Sequence, residues 1–289
     1  MASYTRDAGL QRLAFSPPPC GYSIGQCECI HTSNGNVVAT RLFTPTNTGG
    51  LCETKQRWIA RQNYEDTRLL CIFSHGNSDD IQTSTVYIQW LCDRFNMNVL
   101  AYDYLGYGQS TAGITTEHNM CEYIDTVYDL AVRMQVSAQK LLIMGKSIGS
   151  GPAVYLASTR RSTCALILVS PLASGVRVVC DTTNMPRAVV EAMDAWFMPS
   201  VERISNVRAP TLVVHGLLDE VISVDNATAL VARCRGNAAY SPLYVSAGHN
   251  DIESLFAEQF VMHITRFLSY VSGVTATPHD HEATNRHYD

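Results

Sequence analysis

The sequence predicts an α/β protein with a mostly parallel central sheet and helices on both faces, and three observations carry that prediction. Short apolar runs recur along the chain and alternate with longer segments whose apolar residues return at helical spacing. The runs are apolar throughout, as parallel strands must be when helices cover both faces of their sheet. At 289 residues and 46% hydrophobic content, the chain can bury one large core, and no linker-like stretch divides it.

Taken in order, a Pro-rich opening, FSPPPCGY, leads into NVVATRLFTP, which reads as an early strand. Residues 44–68 read as a polar, mobile loop, because PTNTGG is a cluster of turn formers. LLCIF, NVLAYDY, KLLIMG, CALILVS, TLVVHG and LYVSAG then follow as strands. Between them Tyr123, Val127, Leu130 and Met134 share one helix face, as do Phe256, Phe260, Ile264, Phe267 and Val271 further on. The expected domain covers residues 1–270, and 271–289 form a polar, disordered tail carrying His279, His281 and His287.

Composition narrows the function. A net charge of −5, a pI near 6.0 and the lack of any Lys/Arg-rich block argue against a nucleic-acid partner. The N-terminal residues lack the apolar core of a signal peptide, and no segment approaches the roughly 20 apolar residues that span a bilayer. A cytoplasmic protein is expected. The ten cysteines are scattered, and Cys71 and Cys164 sit in apolar runs, which suits free thiols in a reducing compartment. The Asn226-Ala227-Thr228 sequon then has no glycosylation role. Cys27 and Cys29 have neither the spacing nor the companions of a zinc site, and no metal or cofactor is expected.

The chemistry centres on GKSIG, where Ser147 follows the strand KLLIM and precedes the helical segment SGPAVYLAS. Glycines at 145 and 149 remove the β-carbons that would collide in an abrupt strand-to-helix turn, so the serine can be held exposed as a nucleophile. Its hydroxyl needs a general base, and the base needs an acid behind it. In enzymes built on such an elbow, the chain order is serine, acid, histidine. Asp219 follows TLVVHGLL and His249 follows LYVSAG, both in loops at strand ends where ligands of open α/β sheets bind. Glu220, Asp225 and Asp251 are nearby alternatives for the acid. Among other histidines, His215 reads as a packed strand-end residue and His263 falls inside a helix.

The oxyanion would be met by the amides of Ile148 and of Asn77, or alternatively Ser78, in CIFSHGNSDD, where His75 and Gly76 end a strand. YDYLGYGQS lacks the full glycine fingerprint of a phosphate loop and reads as a turn. Lys146 either positions substrate or is locally paired.

With FSHGN, YDYLGYGQS, GKSIGSGP, SPLASGVR, HGLLDEVISV and AGHNDIE in this order, the chain resembles the serine hydrolases called α/β-hydrolase domain-containing proteins of the seventeenth group. The similarity runs from LQRLAFSPPP to FLSYV. It implies the α/β-hydrolase fold, no cofactor, and removal of palmitate from cysteines of membrane-associated proteins, with Ser147, Asp219 and His249 as nucleophile, acid and base. An S-acylated protein would be the substrate, with a small acyl ester as the alternative. The same triad on this fold also serves carboxylesterases and peptidases, and outside enzymes the alternative is an inactive hydrolase-like binding protein.

Members of that group carry an N-terminal cysteine cluster that is acylated and recruits them to membranes. Here the first cysteine is Cys20 and no glycine follows Met1, so Cys20, Cys27 and Cys29 are the candidate acylation sites for peripheral membrane association. Residues 171–207 fall where these hydrolases insert a cap. There Met185, Val189, Met193, Trp196 and Phe197 offer apolar surface either to wall a shallow acyl pocket or to seal the cap onto the sheet.

Overall fold

Strand pairing in the computed structural model, which describes residues 14–46, 67–160, 163–180, 185–235 and 240–273, follows directly from the apolar runs. Eight strands form one sheet: β1 (Glu28–His31), β2 (Val37–Phe43), β3 (Leu70–Ser74), β4 (Asn98–Tyr102), β5 (Leu141–Lys146), β6 (Ala165–Val169), β7 (Thr211–Gly216) and β8 (Leu243–Val245). Their order is β1-β2-β4-β3-β5-β6-β7-β8. From β4 to β8 every pairing is parallel, whereas β1 pairs antiparallel with β2 and β2 with β4. The sheet is the mostly parallel one expected, extended by an edge hairpin whose outer strand β1 has no counterpart among the apolar runs. Most of the loop at 44–68 and the tail beyond 273 lie outside the described residues.

Period-two alternation within the buried strands divides the core into two layers. Ile72, Leu100, Ile143, Leu166, Leu168 and Val213 face one layer, which is closed by the helices Glu117–Arg133, Ser150–Thr159 and Val224–Arg233. Phe73, Val99, Leu142, Met144, Ile167 and Val214 face the other, closed by the helices Thr85–Phe95 and Ala257–Val271. The helical phases read from the sequence hold: Tyr123, Val127, Leu130 and Met134 are buried on the first side, and Phe260, Ile264 and Phe267 on the second. Thr116 fixes the start of Glu117–Arg133 by accepting from the Asn119 amide at 3.2 Å, while the Asn119 side chain accepts from the Thr116 amide at 2.9 Å.

Because β3, β5, β7 and β8 run in the same direction, the loops that leave their C-terminal ends gather at one edge of the sheet. That edge receives Gly76, Ser147, Asp219 and His249 from four separate strand ends.

Candidate active site

Ser147 sits at the strand-to-helix corner with φ 54°, in the left-handed region that costs a residue with a β-carbon about 1–2 kcal/mol. The glycines around it make the corner sterically feasible. A β-carbon on Gly149 would stand 2.2 Å from the Ser74 carbonyl oxygen, and one on Gly145 would stand 2.5 Å from the Gly149 oxygen. Both contacts are with backbone, so no side-chain rotation relieves them. The turn Ser147–Gly149 then runs into the helix Ser150–Thr159. Ile148 lies in this first turn, where amides lack acceptors within their own helix.

The loops after β7 and β8 bring an acid and a base to this serine. His249 Nε2 lies 3.0 Å from Ser147 Oγ, and His249 Nδ1 lies 2.7 Å from Asp219 Oδ2. A carboxylate only accepts, so Nδ1 carries the ring proton and Nε2 is left to accept from the serine hydroxyl. Ser147 and His249 are both buried. The remaining Asp219 oxygen accepts from the amides of Val221 at 2.9 Å and Ile222 at 2.7 Å. Burial alone would raise the Asp219 pKa, but hydrogen bonds from His215, His249 and the Ile222 amide overcome it and hold the group below the usual carboxylate range.

His215 is fully buried, as a packed residue would be, and it also meets the acid: its Nε2 donates to the Ile222 carbonyl at 2.8 Å and lies 3.3 Å from Asp219 Oδ2. Its position four residues before Asp219 in HGLLD was the only signal of this contact in the sequence. His263 donates to the Ser241 carbonyl from the C-terminal helix, away from the triad loops. The His249 ring makes its hydrogen bonds with Asp219 and Ser147 rather than with the alternative acids Glu220, Asp225 and Asp251, and Asp225 pairs with Arg187 at 3.0 Å.

On the opposite side of the serine, the loop after β3 is held at several points. His75 is buried, its Nδ1 donates to the Gly76 carbonyl at 2.8 Å, and its own carbonyl accepts from Tyr104 Oη at 2.7 Å. The Asn77 side chain is occupied by structure: Oδ1 accepts from the Ser16 amide at 3.0 Å and from Tyr107 Oη at 2.8 Å, and Nδ2 donates to the Ala14 carbonyl at 2.8 Å. Behind the loop, buried Asp103 accepts from Tyr22 Oη and from the Ile81 amide. YDYLGYGQS is a turn following β4, with Tyr102, Tyr104 and Tyr107 fully buried. Lys146 is locally paired, 3.0 Å from Glu253 Oε1 and 4.8 Å from the centre of the Tyr87 ring.

The cap residues do not gather into one apolar wall. Phe197 is 2% exposed and belongs to the core, edge-on to Phe15, so its assignment to an acyl pocket is corrected. Met193 packs partly buried against the same core. Val189 and Trp196 are exposed instead. Met185 borders a cavity of ≈ 180 Å³ together with Cys180 and Val190, but Arg177, Arg187, Glu191 and Asp225 also line it, so its wall is mixed rather than wholly apolar. Sealing the cap onto the sheet is what Phe197, Met198, Val201 and Ile204 do.

Among the described residues, no group of three or more His, Cys, Asp or Glu could hold a metal ion, every cysteine is a free thiol, and no helix is long and apolar enough to cross a membrane.

Comparison with known proteins agrees with this architecture. Residues 65–202 match the family model described as serine aminopeptidase, S33. The chain is 40% identical over 206 residues to mouse alpha/beta hydrolase domain-containing protein 17C, covering 71% of this chain and 61% of that protein. Alpha/beta hydrolase domain-containing protein aho-3 of Caenorhabditis elegans is 34% identical over 258 residues, covering 84% of this chain and 73% of its own. The chain thus spans about three-fifths of the length of the 17C proteins it matches (61% in mouse, 59% in human). Among solved structures, the Pyrococcus furiosus esterase Pf2001 superposes with a TM-score of 0.63 at 14% identity, covering 88% of this chain and 99% of the esterase. Est1E of Butyrivibrio proteoclasticus superposes at 0.62 and 17% identity, covering 85% and 99%. At such identities the two esterases speak for the fold alone. Together with the eight-stranded sheet, the aho-3 match over most of both chains shows that this chain belongs to the α/β-hydrolase domain-containing proteins and has their fold.

Proposed function

We propose that the protein is a serine hydrolase that cleaves acyl thioesters, with S-acylated proteins as substrates. One observation carries this reading: the unbroken hydrogen-bond path from Ser147 Oγ through the His249 ring to the Asp219 carboxylate. His249 Nε2 takes the Ser147 proton as Oγ bonds to the acyl carbon, and Asp219 stabilises the imidazolium that results. The oxyanion faces the amides of Ile148 and Asn77, each such donor being worth about 3 kcal/mol in the transition state. Collapse expels the leaving thiolate, which receives the proton from Nε2, and water then repeats the sequence to release the fatty acid and restore Ser147. Palmitate as the acyl group is supported by the similarity to the 17C proteins and by the motifs shared with their group.

The substrate reading has one competitor with a specific observation behind it, since residues 65–202 match a family model named for aminopeptidases. A fluorophosphonate probe should label the wild type, and Ser147→Ala should abolish both labelling and hydrolysis. Rates on long-chain acyl thioesters, short-chain esters and peptide amides, measured at matched concentration, then separate the substrate classes. Retained labelling of Ser147→Ala rejects the nucleophile, and faster cleavage of amides than of thioesters rejects depalmitoylation. The same reading puts the protein in the cytoplasm, peripherally at membranes, which cell fractionation tests.

A further inference from the structure

A groove of ≈ 480 Å³ is lined by the chain neighbours of Ser147 and His249, and the triad chemistry does not account for its lining. Lys146, the residue before Ser147, lies on one side, and Asn250, the residue after His249, lies on another. Asp79 comes from the loop after β3: a β-carbon built on Gly76 would stand 2.9 Å from its Oδ2 and 3.9 Å from Ser147 Cβ, so both flank that glycine. Tyr87 and Trp90 supply stacked aromatic faces 6.1 Å apart.

Reaction geometry decides what this groove receives. His249 Nε2 must hand its proton to the leaving group, so that group departs on the side of the base. Asn250 and Glu253, whose chain segment continues from His249, line the groove, and this continuity assigns it to the leaving group. Charge then narrows the occupant. Lys146 is neutralised by Glu253 at 3.0 Å, both side chains being largely buried at 16% and 12% exposure. The half-buried Asp79 carboxylate has no hydrogen-bond or ion-pair partner among the described residues. The lining therefore carries one uncompensated negative charge next to aromatic surface, a combination that attracts the charged head of a lysine or arginine while its stem packs on the rings.

We propose that this groove is the subsite for the leaving polypeptide and that Asp79 selects substrates with a lysine or arginine beside the acylated cysteine. The proposal rests on the serine-hydrolase reading, and protection of Ser147 from a small fluorophosphonate tests the two separately. Matched cysteine peptides with flanking lysine or flanking glutamate serve as competitors. The lysine peptide should slow labelling at about three- to fivefold lower concentration than the glutamate peptide, the size expected of one partly exposed charge pair. This gap should narrow as salt is raised, vanish in Asp79→Asn and persist in Asp79→Glu. Equal protection by both wild-type competitors, or a gap that ignores both salt and Asp79→Asn, overturns the subsite while leaving the hydrolase intact. Absence of labelling in the wild type overturns the hydrolase reading, and the subsite with it. The salt series needs only the wild-type protein, so a variant that misfolds does not remove the test.

Discussion

His215 and His249 meet at the same oxygen: Asp219 Oδ2 lies 3.3 Å from His215 Nε2 and 2.7 Å from His249 Nδ1. With Val221 and Ile222 amides on Oδ1, the carboxylate is held from four directions and cannot rotate without breaking several bonds at once. A rigid acceptor fixes the imidazole that depends on it.

Replacing the acid should therefore act on chemistry rather than on binding. Asp219→Asn is expected to lower kcat by about 10³–10⁴-fold with little change in KM, because the lost charge supports the imidazolium only in the transition state. Steady-state kinetics on a long-chain thioester check this, and a tenfold rise in KM at unchanged kcat would contradict it.

His215 should reveal itself in stability as well as rate. His215→Phe leaves the Ile222 carbonyl without its ring donor, a loss of about 1–3 kcal/mol in urea unfolding. It should also reduce kcat, by less than Asp219→Asn does. An unchanged unfolding midpoint would show that the ring is mere filler.

Acid should weaken the fold partly through Asp219. Its folded pKa is depressed below the unfolded value, so the unfolded chain binds the proton first as pH falls. Its stabilising contribution is complete above the ordinary carboxylate pKa of about 4 and is lost progressively as pH drops toward the lower folded value. Stability measured from pH 7 downward should decline less steeply below that point in Asp219→Asn than in the wild type; parallel curves would remove Asp219 from the account.

Two glycines give a steric contrast. Gly149→Ala places a methyl 2.2 Å from the Ser74 oxygen and should destabilise by at least about 3 kcal/mol or prevent folding. Gly25→Ala, with nothing within 4 Å, should stay within about 0.5 kcal/mol of wild type. Thermal melts of the pair suffice, and equal melting temperatures would refute the tight corner.

Thiol reactivity should divide the N-terminal cysteines. Burial, with Cys29 beside it, pushes the Cys27 thiol up to about 12, whereas Cys20 is exposed. Since the thiolate is the reactive form, iodoacetamide at neutral pH should modify Cys20 well before Cys27. Peptide mapping after timed alkylation reads the order, and simultaneous modification would defeat it.

The strands from β3 to β7 were legible because both faces of each are buried, which forces continuous apolar runs. β1 was not: it is a four-residue edge strand with one buried side chain, so ECIH carries no run and no alternation. Ser147, Asp219 and His249 were readable from their strand-end positions, since parallel strands deliver those ends to one place. The contact of His215 with Asp219 was hidden, because nothing in a strand-end histidine dictates which way its ring turns. The cap misled for a similar reason. A tight turn at Asp194–Trp196 breaks the helical period, so neighbours Trp196 and Phe197 part, one to solvent and one to the core.

The Asn77 side chain joins the chain entering the domain, at Ala14 and Ser16, to the turn that faces Ser147. Between those two bonds Phe15 meets Phe197 edge-on, so the same short segment clasps the turn and the cap together. Loosening that segment would release both at once, the turn through Asn77 and the cap through Phe15.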